Sequence, residues 1–235
     1  MTLCLLVSSR VFSMDSITRT TIDFVHIPKN AGTSIGELCS PNLPSSFLVY
    51  NGHSIDPCTL MGEQFVILRE PKDRFCSAVR YSLAYMRDDP NGDLGKFHNF
   101  QSKGLVDPNS WAEVLADVNH EHYKLVNSEI INVQHKVGNL LLDDKWTFAP
   151  QHIWLNKCRS PRVALFHELA NDLRYLFTIM NHSFECDIPH ENAASDTGCS
   201  ELSIYAHKYL NDKYREDIDI FNIYNTMPKE VRMGR

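Results

Sequence analysis

Short apolar runs alternating with amphipathic stretches predict an α/β fold with a central parallel sheet flanked by helices. Three observations carry this expectation. Ile22–Ile27, Gln64–Leu68 and Arg162–Phe166 are nearly all apolar or β-branched, as strands covered on both faces must be. Each leads through a turn into a helical pattern, the order of βα units. The 235 residues, 43% hydrophobic and 22% charged, suit one soluble domain of ordinary size with a substantial core.

Taken in order, the first strand stops at Pro28, and a helix is expected from Thr33 to Cys39, closed by Ser40-Pro41 and a Pro44 turn. Phe47–Tyr50 is a second short strand ending at Asn51-Gly52-His53. The third stops at Arg69-Glu70-Pro71, and Pro71 opens a helix to Arg87 with Phe75, Val79, Leu83 and Met86 on one face. Residues 88–108, with Pro90, Asn91-Gly92 and Gly95, predict a long loop. Ser110-Trp111-Ala112-Glu113 reads as a capping box opening another helix, and 120–145 is expected to be helical. After the 162–166 strand a helix follows at once with Leu169, Leu173, Leu176, Phe177 and Met180 in a stripe. A loop over 187–198 then precedes a final helix carrying Leu202, Tyr205, Ala206, Tyr209 and Leu210. There is no repeat or linker, so 19–235 is expected to be a single domain behind a disordered leader over 1–18.

Composition narrows the function. A net charge of −6 supplies no field for nucleic acid. Seven scattered cysteines with no CxxC pair give no metal finger. They are expected to be mostly reduced, Cys76 within its helix included, with a Cys186–Cys199 bridge left open. The leader's apolar patch has no basic residue before it and is too short to span a bilayer. The expectation is therefore no stable membrane insertion and a cytoplasmic location, with the Golgi lumen as the alternative if the N-terminus is incomplete.

Two constellations carry chemistry. His26-Ile27-Pro28-Lys29-Asn30-Ala31-Gly32-Thr33-Ser34 joins a strand to a helix start through a tight turn. Such a turn offers unpaired N–H groups to an anion, with the Lys29 ammonium and the Thr33 and Ser34 hydroxyls as further donors and Gly32 allowing close backbone approach. A plain helix cap beside a surface lysine is the competing view. The lysine precedes the glycine by three residues, so the nucleotide-kinase loop G-x-x-x-x-G-K-[ST] is rejected. The second constellation is Arg69-Glu70-Pro71-Lys72-Asp73-Arg74-Phe75-Cys76-Ser77 at the end of the third strand. An arginine fork and a hydroxyl there suit a second phosphate; an exposed, charged first helical turn is the alternative.

These segments resemble the two nucleotide-binding motifs of the carbohydrate sulfotransferases that use 3′-phosphoadenosine 5′-phosphosulfate (PAPS). His26 to Ser34 is similar to the family's 5′-phosphosulfate loop, and Arg69 to Ser77 to its 3′-phosphate motif R-[DE]-P-x-x-R-[FL]-x-S. Pro189-His190-Glu191-Asn192 and Asp217-Ile218-Asp219-Ile220-Phe221 also look like later family segments, so the resemblance covers about residues 22–222. It implies a P-loop-like three-layer domain in which Lys29, Asn30, Ala31, Gly32, Thr33 and Ser34 hold the 5′-phosphosulfate. Arg69 and Ser77 would hold the 3′-phosphate. Uronyl 2-O-sulfotransferases carry a similar Gly-His after the second strand, which implies His53 as catalytic base beside Lys29, and an imidazole suits that task. A loop histidine with a structural bond is the bland alternative.

The implied acceptor is a hydroxyl of a carbohydrate or glycoconjugate, with Lys157, Arg159 and Arg162 as candidate cleft residues and the 88–108 segment as the place for specificity. Gln151-His152-x-Trp154-Leu155 resembles a segment near the acceptor site, with plain packing as the alternative. His98, His120, His122 and His135 lack a ligand pattern, so no metal is expected. Two rivals stand beside the transferase: a P-loop-type nucleotide-dependent kinase, and a catalytically inactive nucleotide- or glycan-binding module.

Overall fold

A computed structural model describes residues 21–39, 47–131, 134–182 and 202–234. Its elements run β1 (Ile22–Val25), α1 (Gly32–Leu38), β2 (Leu48–Asn51), β3 (Glu63–Leu68), α2 (Pro71–Asp88), α3 (Leu94–Ser102), α4 (Pro108–Ala116) and α5 (Tyr123–Ile130). A hairpin of β4 (Lys136–Val137) and β5 (Leu140–Leu141) follows, then α6 (His152–Leu155), β6 (Arg162–Leu165), α7 (Leu169–Ile179), α8 (Ile204–Lys213), α9 (Arg215–Thr226) and α10 (Lys229–Arg232).

The main sheet has four strands in the order β2-β1-β3-β6, all parallel. Its side chains alternate between two buried faces, which is why the strands read as unbroken apolar runs. Phe24, Phe65, Ile67 and Ala164 pack with Ile35 and Leu38 of α1 and Leu173 and Leu176 of α7. Val25, Val66, Leu68, Val163 and Leu165 pack on the other side with Trp154 and Leu155 of α6 and Phe221 of α9. Helices therefore flank both faces of the predicted parallel sheet. A further core joins the buried stripe of α2, through Phe75, Val79, Leu83 and Met86, to Phe100, Trp111 and Leu210.

Several expectations are corrected. Residues 88–108 are not one loop. Asp93 caps α3 by accepting from the Lys96 N–H at 2.8 Å, and Phe100 is buried with its ring centroid 5.2 Å from that of Trp111. Burial of one aromatic outweighs the turn signals around it. The capping box at Ser110 is not used; α4 starts earlier, with Asp107 accepting from the Ser110 N–H and Pro108 in the first turn. Among the described residues of the 120–145 stretch, only Tyr123–Ile130 is helical. A Gly138-Asn139 turn, with Gly138 at φ 59°, closes the β4–β5 hairpin. A short 3₁₀ turn, Phe166–Glu168, separates β6 from α7. The single final helix is three, α8 to α10.

Cys76 is disulfide-bonded, against the expectation of a reduced thiol, whereas Cys39, Cys58 and Cys158 are free. The expected leader, Pro44 turn, 187–198 loop, Pro189–Asn192 segment and Cys186–Cys199 pair also lie outside the described residues. Among the described residues no helix is long and apolar enough to cross a membrane.

Candidate functional site

Parallel strands end at one edge of the sheet, so the turns after β1, β2 and β3 lie on the same side. They carry Lys29, His53 and Arg69. β2 lies on one side of β1 and β3 on the other, so the chain reverses direction across the sheet between β1 and β3. Such a switch point is where open α/β sheets bind ligands, and the turns that carry Lys29 and Arg69 follow the two strands on either side of it.

The first turn differs from the expected glycine loop. Its left-handed residues are Lys29 (φ 67°) and Ala31 (φ 60°), with Asn30 between them at negative φ. Alternating backbone hand is the conformation from which anion-binding nests are built, although here the Asn30 N–H already donates to the Ile27 carbonyl at 3.3 Å. Non-glycine residues in this region cost about 1 kcal/mol or more each, and such strain clusters at functional sites. Gly32 serves another purpose. It is buried, and a Cβ there would overlap the imidazole of His26. α1 is only seven residues long and Ala31 gives no side-chain cap, so cations and the nest, more than a long helix dipole, make this end attractive to an anion. Thr33 is exposed on α1 and Ser34 is buried.

The second turn supplies two arginines with different duties. Arg69 donates from Nη1 to the Lys29 carbonyl at 3.3 Å and stacks its guanidinium over Phe166, 4.2 Å from the ring centroid. Its Nε is buried without a partner, a donor suited to an oxyanion. Arg74, only 1% exposed, clamps the main chain by donating to Pro28 O at 3.0 Å and Trp146 O at 3.2 Å. Glu70 caps α2, its carboxylate accepting from the Asp73 N–H at 2.8 Å. Ser77 stands between Asp73 and Tyr81 at helical spacing, on the face of α2 that meets Lys29. Lys29 Nζ sits 4.0 Å from the centroid of the Tyr81 ring.

Three cations thus share a small, largely desolvated volume. Burial, then repulsion from Arg69 and Arg74, pulls the Lys29 ammonium down to about 8. Burial also depresses Arg69, with Arg74 and Arg80 adding to it and Asp73 and Glu70 opposing it. A cluster held against its own repulsion is stabilised by a bound polyanion.

Besides the Arg69–Lys29 and Arg74–Pro28 bonds, one buried amide from a third segment joins the two turns. Gln151 Oε1 accepts from Asn30 Nδ2 at 2.6 Å and from the Arg69 N–H at 3.1 Å, while its Nε2 donates to the Arg69 carbonyl at 2.8 Å. The other Asn30 amide proton goes to Ile67 O at 2.6 Å. Asn30, expected to face a ligand, instead points its side chain inward as a structural tie, with Oδ1 buried and unpartnered.

His53 follows β2. Its Nδ1 lies 3.4 Å from the His26 carbonyl, and a proton on Nδ1 donated to that oxygen leaves Nε2 as the free basic nitrogen. Burial depresses its affinity for a proton, the carbonyl bond opposes that, and His135 and Lys29 reinforce it. His26 and His53 have ring centroids 4.0 Å apart, and the Tyr50 hydroxyl bonds His26 Nδ1. Burial first, then His53 and Lys29, lowers His26 to about 3. Trp146 completes the aromatic group, 5.4 Å from His53 and stacked on His135 at 4.2 Å.

Lys29, Arg69, Ser77 and His53 are thus carried on neighbouring turns and the first helical turns beyond them. The proposed acceptor cations are not part of this group. Lys157 pairs with Asp56 at 3.0 Å, Arg159 donates to Cys58 O at 3.0 Å, and Arg162 pairs with Glu63 at 2.6 Å. Arg162 and Glu63 open β6 and β3, at the opposite edge of the sheet. His26, Tyr81 and the linking role of Gln151 were missed, because their partners lie far off in sequence. Among the described residues no group of three or more His, Cys, Asp or Glu has the geometry to hold a metal. Comparison with protein-family models, curated proteins and solved structures finds no match, so function rests on the chemistry of the site.

Proposed function

We propose that the chain is a sulfotransferase that moves the sulfuryl group of PAPS to a hydroxyl of a carbohydrate or glycoconjugate. One observation carries the reading. Two cation-bearing turns, after β1 and β3, meet at the switch point of the sheet, where Arg69 Nη1 donates to the Lys29 carbonyl at 3.3 Å, and cations on adjoining turns support a single ligand with two anionic ends. On this reading the α/β domain is P-loop-like, with the nest at 29–32 and Lys29 at the 5′-phosphosulfate and Arg69 with Ser77 at the 3′-phosphate.

The reaction is a direct in-line displacement. An acceptor hydroxyl oxygen bonds to sulfur while the bond from sulfur to the bridging oxygen breaks. His53 Nε2 takes the hydroxyl proton, and the bridging oxygen leaves with the electron pair on 3′-phosphoadenosine 5′-phosphate. Lys29 and the nest amides neutralise that departing charge. Positioning and preorganised charge then supply most of the acceleration, as in phosphoryl transfer.

A nucleotide kinase would call for a carboxylate at a strand end to hold Mg²⁺. The residue directly after β3 is Arg69, and the neighbouring Glu70 carboxylate is engaged as a helix cap. The test is incubation with radiolabelled PAPS, and in a parallel arm with radiolabelled ATP, and a panel of hydroxyl acceptors, with and without EDTA. Labelled acceptor in both arms supports the transferase. Transfer from ATP alone, abolished by EDTA, would replace it with the kinase, and nucleotide binding without turnover with the inactive module.

A further inference from the structure

The geometry points to Gln151 as a positioning residue that fixes the distance between the two anion-binding turns. The inference rests on the donor-binding reading above for its ligand, though not for its geometry. Gln151 is 2% exposed and spends its whole carboxamide on the two turns: both backbone groups of Arg69 and the side chain of Asn30. Asn30 in turn is bonded to Ile67 O, the residue before the end of β3. No backbone ladder extends past the ends of β1 and β3 to do this job; their register ends at Phe24↔Phe65. The amide therefore replaces sheet hydrogen bonds at the point where the strands diverge around the crevice.

Gln151 is itself held from a third element. Asp217 of α9, 2% exposed, accepts from the Gln151 N–H at 2.7 Å and the His152 N–H at 2.8 Å, and it pairs with His152 Nδ1 at 2.9 Å. The chain of contacts runs from α9 through residues 151 and 152 to both turns. The late Asp217 segment and the Gln151 segment thus act on the donor side of the site, not on an acceptor cleft. A ligand that engages both turns needs their spacing set in advance; a ligand held by one turn does not.

The test compares wild type with Gln151→Met, which keeps volume and removes the amide, and with the milder Asp217→Asn. Adenosine 3′,5′-bisphosphate and adenosine 5′-monophosphate are titrated calorimetrically, and the Lys29 ammonium is titrated by NMR in the ligand-free protein. The expected result is a loss of about tenfold in affinity for the bisphosphate with little change for the monophosphate, and a smaller loss of the same kind for Asp217→Asn. Lys29, at about 8 in the wild type, should rise in both variants as the Arg69 turn drifts away. A residue that only stabilised the fold would lower both affinities together and leave Lys29 in place. An unchanged affinity ratio with Lys29 still near its wild-type value overturns the inference. Should the wild type bind neither nucleotide, the donor reading falls, and the Lys29 titration alone decides the coupling. If Gln151→Met does not fold, Asp217→Asn decides it.

Discussion

Gly32 lies against the imidazole of His26 with no room for a Cβ between them. The ring cannot swing aside, because Phe24 stacks beside it and the Tyr50 hydroxyl bonds its Nδ1. Glycine is needed for packing at a position where the left-handed backbone falls on its neighbours instead. Gly32→Ala should therefore cost about 1–3 kcal/mol of stability through overpacking. Urea denaturation of Gly32→Ala, His26→Ala and the double variant measures this. The double variant should be more stable than the sum of the single effects predicts, and strict additivity would show that the two residues do not compete for space.

Lys29 is half-buried and Arg74 fully buried in one cluster, and their loss should differ in kind. Lys29→Ala leaves no hydrogen-bond partner stranded and removes repulsion, so the protein should stay folded while transfer from PAPS drops by about a hundredfold or more. Arg74→Ala strands the carbonyls of Pro28 and Trp146 and should destabilise by about 2–3 kcal/mol. Thermal melts and turnover, measured on both variants, separate the two. Wild-type turnover in Lys29→Ala would remove it from the mechanism.

Arg69→Ala should act through the ligand. Its guanidinium rests on Phe166 and the Lys29 carbonyl, and its Nε is a free donor. Affinity for adenosine 3′,5′-bisphosphate should fall by about 2 kcal/mol, a charge-assisted bond, with affinity for adenosine 5′-monophosphate nearly preserved. Equal losses for both nucleotides would place the 3′-phosphate elsewhere.

On the proposed mechanism the active protonation state has His53 neutral and Lys29 charged. His53 lies below its ordinary 6.5 and Lys29 at about 8, so kcat/KM should be bell-shaped, with its acid limb below 6.5 and its alkaline limb near 8. Donor phosphates favour the charged ammonium, so the alkaline limb in kcat should lie higher. His53→Ala should abolish the acid limb along with most of the turnover. Normal turnover at neutral pH in that variant would move the base elsewhere.

His26 predicts acid sensitivity. Its folded value of about 3 lies below the ordinary 6.5, so between those limits the unfolded chain binds a proton that the folded protein refuses. Stability is then fully present above 6.5 and declines as pH falls toward 3, by up to about 1.4 kcal/mol per pH unit. Melts of wild type and His26→Phe across pH 4 to 7 should show a shallower decline in the variant, and parallel curves would assign the acid sensitivity to other groups.

The parts of the site that sit at strand ends were legible in the chain. An apolar run followed by Pro28-Lys29, and another followed by Arg69-Glu70-Pro71, put two cations at one edge of a parallel sheet as soon as the sheet is parallel. The Gly138-Asn139 pair also favours a tight hairpin, against the helix expected over 120–145. Residues 94–102 were not, because Pro90, Gly92 and Gly95 signal a loop and only the burial of Phe100 against Trp111 makes a helix worthwhile.

Local patterning determined which segments became strands and where the charges that follow them fall, because burial on both faces and helix initiation act over a few residues. The tertiary structure alone decided that Gly32 yields its side-chain space to His26, that Asn30 turns inward, and that Gln151 joins two turns from 82 residues beyond Arg69. Those are contacts between segments, and a hydrogen bond or an overlap depends on distance in space, which a linear pattern of residues does not encode.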